Sequence, residues 1–473
     1  MMRFNILLAA ALALSTPVWA EEAPPPPASD FPTAPPAGSE PRPFKLPAVE
    51  TYTLKNGLTV TLATYGAAPK ATVRAVVRVG NANDGDSPWV SDLTSDMMQE
   101  GAAGKTGAEL DRTAASMGGD LNIGVGLDET FAGIDVLSES ADEAVGLVAD
   151  VLQRPDFPAS EFEKNRQNNL RALSVARSEP QSLANDAFTG LIYPDHPYAR
   201  AQLPPAEKIA AMTLDDVKAF HAANFGAKRT HLYVVGQFDR RVVKKAIGKA
   251  FGDWAEGPAP LVMPPGAARP SQVGLVDRPS AVQSTIRLGK RVPPIDGTLE
   301  LEAADTILGG YFSSRITRNI REDKGYTYSP NSAVSAEYRA AYWRQNADIT
   351  TESTGLALAE VMKEIRGLQD APPSAAELDG VKNYMNGIYV IGLASRQGMA
   401  GQLAYANLHG LGLKYLESYV SLVRALTPEQ VQAAARNNLD IEEMSLVVVG
   451  DLAKVRTQIE KLPEFSGKLP PRK

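Results

Sequence analysis

Arg321 and Tyr328 stand seven residues apart near the end of the run Leu308-Gly-Gly-Tyr-Phe-Ser-Ser-Arg-Ile-Thr-Arg-Asn-Ile-Arg-Glu-Asp-Lys-Gly-Tyr-Thr-Tyr328, and their chemistry suits peptide hydrolysis. A tyrosine hydroxyl donates to the oxyanion that forms on a scissile carbonyl, and a guanidinium fixes a substrate backbone carbonyl. Neither group generates hydroxide, so the pair is half of a hydrolytic site. A second spacing with chemical content is Asp92-Leu-Thr-Ser-Asp96, which puts two carboxylates on one face of a helix. Hard cations want six or more oxygen ligands and nothing nearby in the sequence completes such a shell, so the expectation is a solvated pair of helix carboxylates. The four histidines, His196, His221, His231 and His409, lack ligand spacing, and neither a zinc site nor a Ser-His-Asp triad assembles from them. Gly101-Ala-Ala-Gly-Lys-Thr106 imitates the end of a phosphate loop, but Gln99 stands where a glycine is needed and the local pattern is a helix end.

These residues need a scaffold, and the chain supplies one by repeating itself. Thr213-Leu-Asp-Asp-Val217 leads to Tyr233-Val-Val-Gly236 at the same interval at which Thr427-Pro-Glu-Gln-Val431 leads to Val447-Val-Val-Gly450. Each copy reads as a Thr-capped helix start with acidic residues in its first turn, then a short buried strand closed by glycine. Pro158-Ala-Ser-Glu-Phe162 is echoed by Ser374-Ala-Ala-Glu-Leu378. Two homologous domains follow, residues 48–256 and 273–465, joined by a Pro/Gly-rich segment 257–272 that forbids a regular element. Alternation over Thr72–Val79 predicts a half-buried strand, and periodic stretches at Ala141–Leu152 and Gly355–Leu368 predict helices. The fold class expected is α+β, each domain an antiparallel-rich sheet flanked by helices.

With 473 residues, two or more domains are expected. A formal net charge of −7 spread along the chain, without a long basic cluster, argues against nucleic acid as a partner. Residues 1–20 read as a secretory signal: Met1-Met-Arg3, an apolar run over Ile6–Leu14, and Ala20 at the cleavage site. That run is too short to span a membrane. The chain has no cysteine, hence no disulfide, no thiol nucleophile and no lipid-attachment site. Ten prolines between Glu21 and Pro47 mark a segment that cannot bury a core and is expected to be a disordered spacer. A soluble periplasmic protein fits these features.

In order along the chain, Leu54-Lys-Asn-Gly-Leu58, Trp89-Val-Ser-Asp-Leu-Thr-Ser-Asp-Met-Met-Gln-Glu-Gly101, Thr106 to Leu110, Tyr193-Pro-Asp-His-Pro-Tyr198 and the run ending at Tyr328 resemble the pitrilysin/insulinase zinc peptidases, the inverted zincins. The resemblance implies two domains forming a half-shell. It places Asp92 and Asp96 where the family has zinc-binding histidines, Ser95 where it has the general-base glutamate, and Arg171 or Ala172 where it has the third ligand, so zinc is expected in a partner and none on this chain. In the branch of the family built from half-length chains, one subunit carries the zinc motif and the other contributes Arg and Tyr. The resemblance therefore implies a non-catalytic subunit of a heterodimeric zinc endopeptidase, with Arg321 and Tyr328 acting in trans and unfolded peptides enclosed between subunits. It also implies that peptide adds to an edge strand at Asn122, Ile123 and Gly124. The alternative is a stand-alone peptide-binding or scaffold protein without hydrolysis.

Overall fold

A computed structural model describes residues 45–200, 202–264, 269–294 and 299–471. The expected signal segment and nearly all of the proline-rich spacer lie outside the described residues. The spacer's last residues are an exception, since Leu46 packs against a buried cluster.

The strands of the first half are β1 (Val49–Thr53), β2 (Thr59–Thr64), β3 (Lys70–Val77), the short hairpin β4 (Gly101–Ala102) and β5 (Lys105–Thr106), β6 (Asn122–Val125), β7 (Thr130–Leu137) and β8 (Thr230–Gly236). Those of the second half are β9 (Val273–Asp277), β10 (Gln283–Val292), β11 (Asn331–Val334), β12 (Ala341–Thr350) and β13 (Ser445–Gly450). Among the described residues they build a sheet ordered β1-β2-β8-β3-β7-β6 and a second ordered β11-β12-β10-β13-β9. Read from the other end, the second sheet repeats the first: β9-β13-β10-β12-β11 matches β2-β8-β3-β7-β6. The senses of pairing agree as well, since β2–β8 and β9–β13 are parallel and every other pairing is antiparallel. The sequence repeat is thus a repeat of topology.

The helix starts read from sequence are present. Thr213 caps Leu214–Asn224 with its side chain accepting from the Asp216 amide, Thr427 caps Pro428–Asn438 through the Gln430 amide, and Ser374 caps Ala375–Gly392 through the Glu377 amide. The periodic stretches form helices Ala141–Gln153 and Thr354–Asp370. The phosphate-loop imitation is the β4–β5 hairpin, whose Ala103 and Gly104 take positive φ. The Leu54–Leu58 segment is the turn between β1 and β2, where Gly57 has φ 90° and the Asn56 amide donates to the Phe251 and Trp254 carbonyls.

Each sheet is covered on both faces, and the helix on one of them comes from the opposite half. On β8, Leu232 and Val234 enter the first half's core, whereas Tyr233 and Val235 pack with Met399, Ala400 and Leu403 of helix Arg396–Leu408. On β13, Leu446 and Val448 enter the second half's core, whereas Val447 and Val449 pack with Ala184, Phe188 and Ile192 of helix Pro180–Ile192. A strand buried on both faces reads as a continuous apolar run, which is why these two segments show no alternation.

Candidate functional site

Arg321 lies in a π-helical segment, Thr317–Asp323, a geometry that recurs at functional positions. The segment ends at Gly325, whose φ of 64° is the left-handed value a helix terminus favours. The Gly325 amide donates to the Arg321 carbonyl and the Tyr326 amide to that of Ile320. The chain is then pinned to β12, because Thr327 pairs with Ile349 and its hydroxyl donates to the Asp348 carbonyl at 2.7 Å. Anchoring Thr327 leaves Tyr328 pointing outward, 77% exposed. The Arg321 guanidinium stands 5.0 Å from the Tyr328 ring centroid and 4.4 Å from that of Phe312, itself exposed. Two rings thus hold the cation by its face, and among the described residues no carboxylate pairs with it. The guanidinium edges and the phenol remain available to a peptide. Phe312 is a component that sequence reasoning missed; it lies in the quoted run, but its spacing from Arg321 follows no helical period.

The helix Val90–Gln99 carries Asp92, Ser95 and Asp96. It lies beside β6, the edge strand of the first sheet, so the structure brings the Asp92–Asp96 positions together with Asn122, Ile123 and Gly124. Gly124 is required there: a Cβ would come within 2.7 Å of the Phe131 ring, which lies across the strand under the Arg74 guanidinium. Asn122 is exposed and Ile123 and Gly124 are partly buried. Arg321 and Tyr328 belong to the other half, Tyr328 directly after the Thr327 that pairs with β12 and Arg321 in a segment packed against helix Thr354–Asp370.

The two aspartates are only partly solvated, where the expectation was a solvated pair. The Asn81 amide donates to Asp92 and the Asn169 amide to Asp96, the latter at 3.1 Å. Burial, reinforced by the neighbouring Asp84 charge, pushes Asp92 up to about 7, and burial also raises Asp96. Asp84 caps the helix by accepting from the Trp89 and Ser91 amides, and burial raises it to about 6. Ser95 is buried.

A second correction concerns the facing helix, Ala159–Ser178. Its buried stripe is Asn165, Asn169 and Leu173, so Asn169 confronts Asp96. Arg171 and Ala172 project to solvent, and Arg171 bonds to Asn168 of its own helix. The i, i+4, i+8 spacing of that stripe is the signal that would have found Asn169. Gly309 and Gly310, in the π-helical segment Thr306–Gly310, serve close packing inside the chain: a Cβ on Gly309 would meet the Ser332 hydroxyl at 2.5 Å. Zinc does not fit the Asp92–Asp96 positions. They offer two carboxylates tied to amide NH2 groups, a serine and an asparagine, and among the described residues no group of three His, Cys, Asp or Glu side chains is placed to hold a metal.

Comparisons with known proteins bear on this divided arrangement. A family model described as Insulinase (Peptidase family M16) matches residues 59–206, and one described as Peptidase M16 inactive domain matches residues 211–385. The chain is 24% identical over 419 residues to a protein of Mycobacterium leprae named an uncharacterized zinc protease, covering 86% of this chain and 92% of that protein. It is 23% identical over 417 residues to another of that name from Bacillus subtilis, covering 85% and 98%. A crystal structure of a peptidase M16 inactive domain from Pseudomonas fluorescens superimposes with a TM-score of 0.80 at 27% identity, over 85% of this chain and 98% of that one. A protease structure from Helicobacter pylori shares the fold, with a TM-score of 0.79 at 20% identity over 86% of this chain and 100% of that one. The two family models follow each other along the chain, the second beginning within the first half and ending in the second, and together they span most of it, so it belongs to the insulinase peptidase family M16.

Proposed function

We propose that this chain is the non-catalytic subunit of an exported heterodimeric zinc endopeptidase, and that it contributes Arg321 and Tyr328 to a partner whose own helix carries the zinc. The observation that carries this reading is the asymmetry between the two sites. Asp92, Ser95 and Asp96 face Asn81 and Asn169 and lack the ligands and base for hydroxide, whereas Arg321 and Tyr328 stand outward with unused donors. The partner supplies metal-activated water; this chain's residues bind and orient. The Tyr328 hydroxyl donates to the developing oxyanion, the Arg321 guanidinium, held on Phe312, engages a peptide carbonyl, and β6 offers backbone groups to an extended peptide.

The test is reconstitution with a homologous zinc-bearing subunit. Tyr328→Phe removes only the hydroxyl and is expected to lower kcat on the order of 10²-fold, with assembly and zinc content unchanged. Unchanged turnover makes Tyr328 a surface residue, and failure to recover any zinc-bearing partner leaves the scaffold reading standing.

A further inference from the structure

The second half contains a cavity of about 470 Å³ whose chemistry the peptidase reading does not use. It occupies the position that corresponds to the Asp92–Asp96 region. The helix Glu300–Asp305 runs beside the edge strand β11 and against helix Ala375–Gly392, as Val90–Gln99 runs beside β6 and against Ala159–Ser178. The charged side chains lining it are Glu302 and Asp305, with no lysine, arginine or histidine among the lining residues. Asp305 is committed, since it accepts from the Ser332 hydroxyl and the Trp343 indole. Among the described residues no donor reaches the Glu302 carboxylate, although its surroundings exclude water well enough that burial, with the Asp305 charge second, pushes it up to about 7.

The rest of the wall is aromatic. Tyr389 and Tyr419 stack at 4.1 Å, Tyr415 meets Tyr419 edge-on at 5.9 Å, and Tyr405 lines the same space. Gly310 keeps the acidic floor uncovered, because a Cβ there would stand 2.9 Å from Asp305 Oδ2. Tyr384 and Ile388, both exposed, form the rim. Four tyrosine rings around a carboxylate that no donor among the described residues reaches make an environment that favours a cation with an apolar stem over water or an anion. An alkali or alkaline-earth ion is poorly served, as the tyrosine faces supply no oxygen shell.

We propose that this cavity is a receptor for an organic cation, an alkylammonium or guanidinium group carried on a short aliphatic chain, with Glu302 as its charge partner. The same chemistry is presented by a free small amine and by a lysine or arginine side chain of a peptide. The site stands apart from the subunit reading, since it needs neither partner nor turnover. Because the bound cation favours the ionised Glu302, binding releases a proton and tightens as pH rises through about 7. The groups facing Glu302 do not reverse that sign: Asp305 carries the same charge type, and burial pushes the hydroxyls of Tyr405, Tyr415 and Tyr419 further above their ordinary range.

The test is titration calorimetry on the full chain at pH 6 and pH 8 with two pairs of probes. One pair is Nα-acetyl-arginine amide and Nα-acetyl-citrulline amide, whose α-amines carry no charge; the other is an end-blocked pentapeptide with a central arginine and its citrulline counterpart. The arginine probe of at least one pair is expected to bind about tenfold or more tighter than its neutral analogue, more tightly at pH 8, and about tenfold more weakly to Glu302→Gln. Preference for the peptide identifies a side-chain pocket, and preference for the amide a small-molecule site. Equal binding of charged and neutral probes to the wild-type chain, or no binding of either arginine probe, overturns the proposal whether or not the variant folds.

Discussion

Asp92 shows how a partly buried carboxylate couples protonation to stability. Its carboxyl is partly buried, holds the Asn81 amide and sits close to Asp84 and Asp96. With its folded value near 7 and an unfolded value near 4, it binds more protons in the folded than in the unfolded chain between those limits. The contribution of Asp92 to stability therefore falls as pH rises from about 4 to about 7 and levels off above. Asp84, raised to about 6, acts in the same direction. Asp92→Asn keeps an acceptor for Asn81 and removes the charge. It is expected to raise stability by about 2 kcal/mol at pH 8, with the gain vanishing toward pH 4, as read from urea unfolding across that range. A pH-independent gain would assign the effect to packing.

At the scale of elements, what decides the metal question is the rotation of helix Ala159–Ser178 about its axis. Restoring Asp92→His, Ser95→Glu and Asp96→His leaves the opposite helix presenting Asn169, an amide that is a poor zinc ligand. The triple variant is expected to retain little zinc after dialysis against a weak chelator. Adding Asn169→Glu places a carboxylate on the buried stripe and is expected to bring metal content to about one zinc per chain. Adding Arg171→Glu or Ala172→Glu instead is expected to leave it unchanged, because those side chains point to solvent. Zinc uptake by an Arg171→Glu version and not by the Asn169→Glu version would reverse the helix register inferred from the structure.

At the scale of the molecule, the exchanged helices make the two sheets mutually dependent. The face of the first sheet formed by Ala63, Val76, Tyr233 and Val235 is covered by helix Arg396–Leu408, and Arg396 at the start of that helix grips Asp135 of β7 with bonds of 3.0 and 2.9 Å. In return Asp128, held within its own half by the Tyr198 hydroxyl, accepts from the Tyr338 amide of the other half. Residues 45–256 expressed alone would expose that face, so they are expected to be insoluble or to bind a hydrophobic dye, and to be rescued by co-expression with residues 269–471. A soluble fragment 45–256 with sharp cooperative unfolding would show that the cross-packed helix is dispensable. Among the described residues no helix is long and apolar enough to cross a membrane.

The sequence alone determined what depends on near neighbours. Thr213, Ser374 and Thr427 cap helices because the hydroxyl acts on amides two or three residues away, and the repeat of these signals carried the α+β alternation of both halves. The Arg321–Tyr328 spacing was legible too, as a terminating glycine and a short turn fix it locally. Tertiary structure decided what depends on facing surfaces. It selected Asn169 over Arg171 and Ala172, set Phe312 against Arg321, buried Asp92 enough to alter its protonation, and laid each half's helix on the other's sheet. Periodicity specifies that a strand such as Leu446–Val449 is apolar on both faces, but which distant helix covers the second face is fixed only when the whole chain packs.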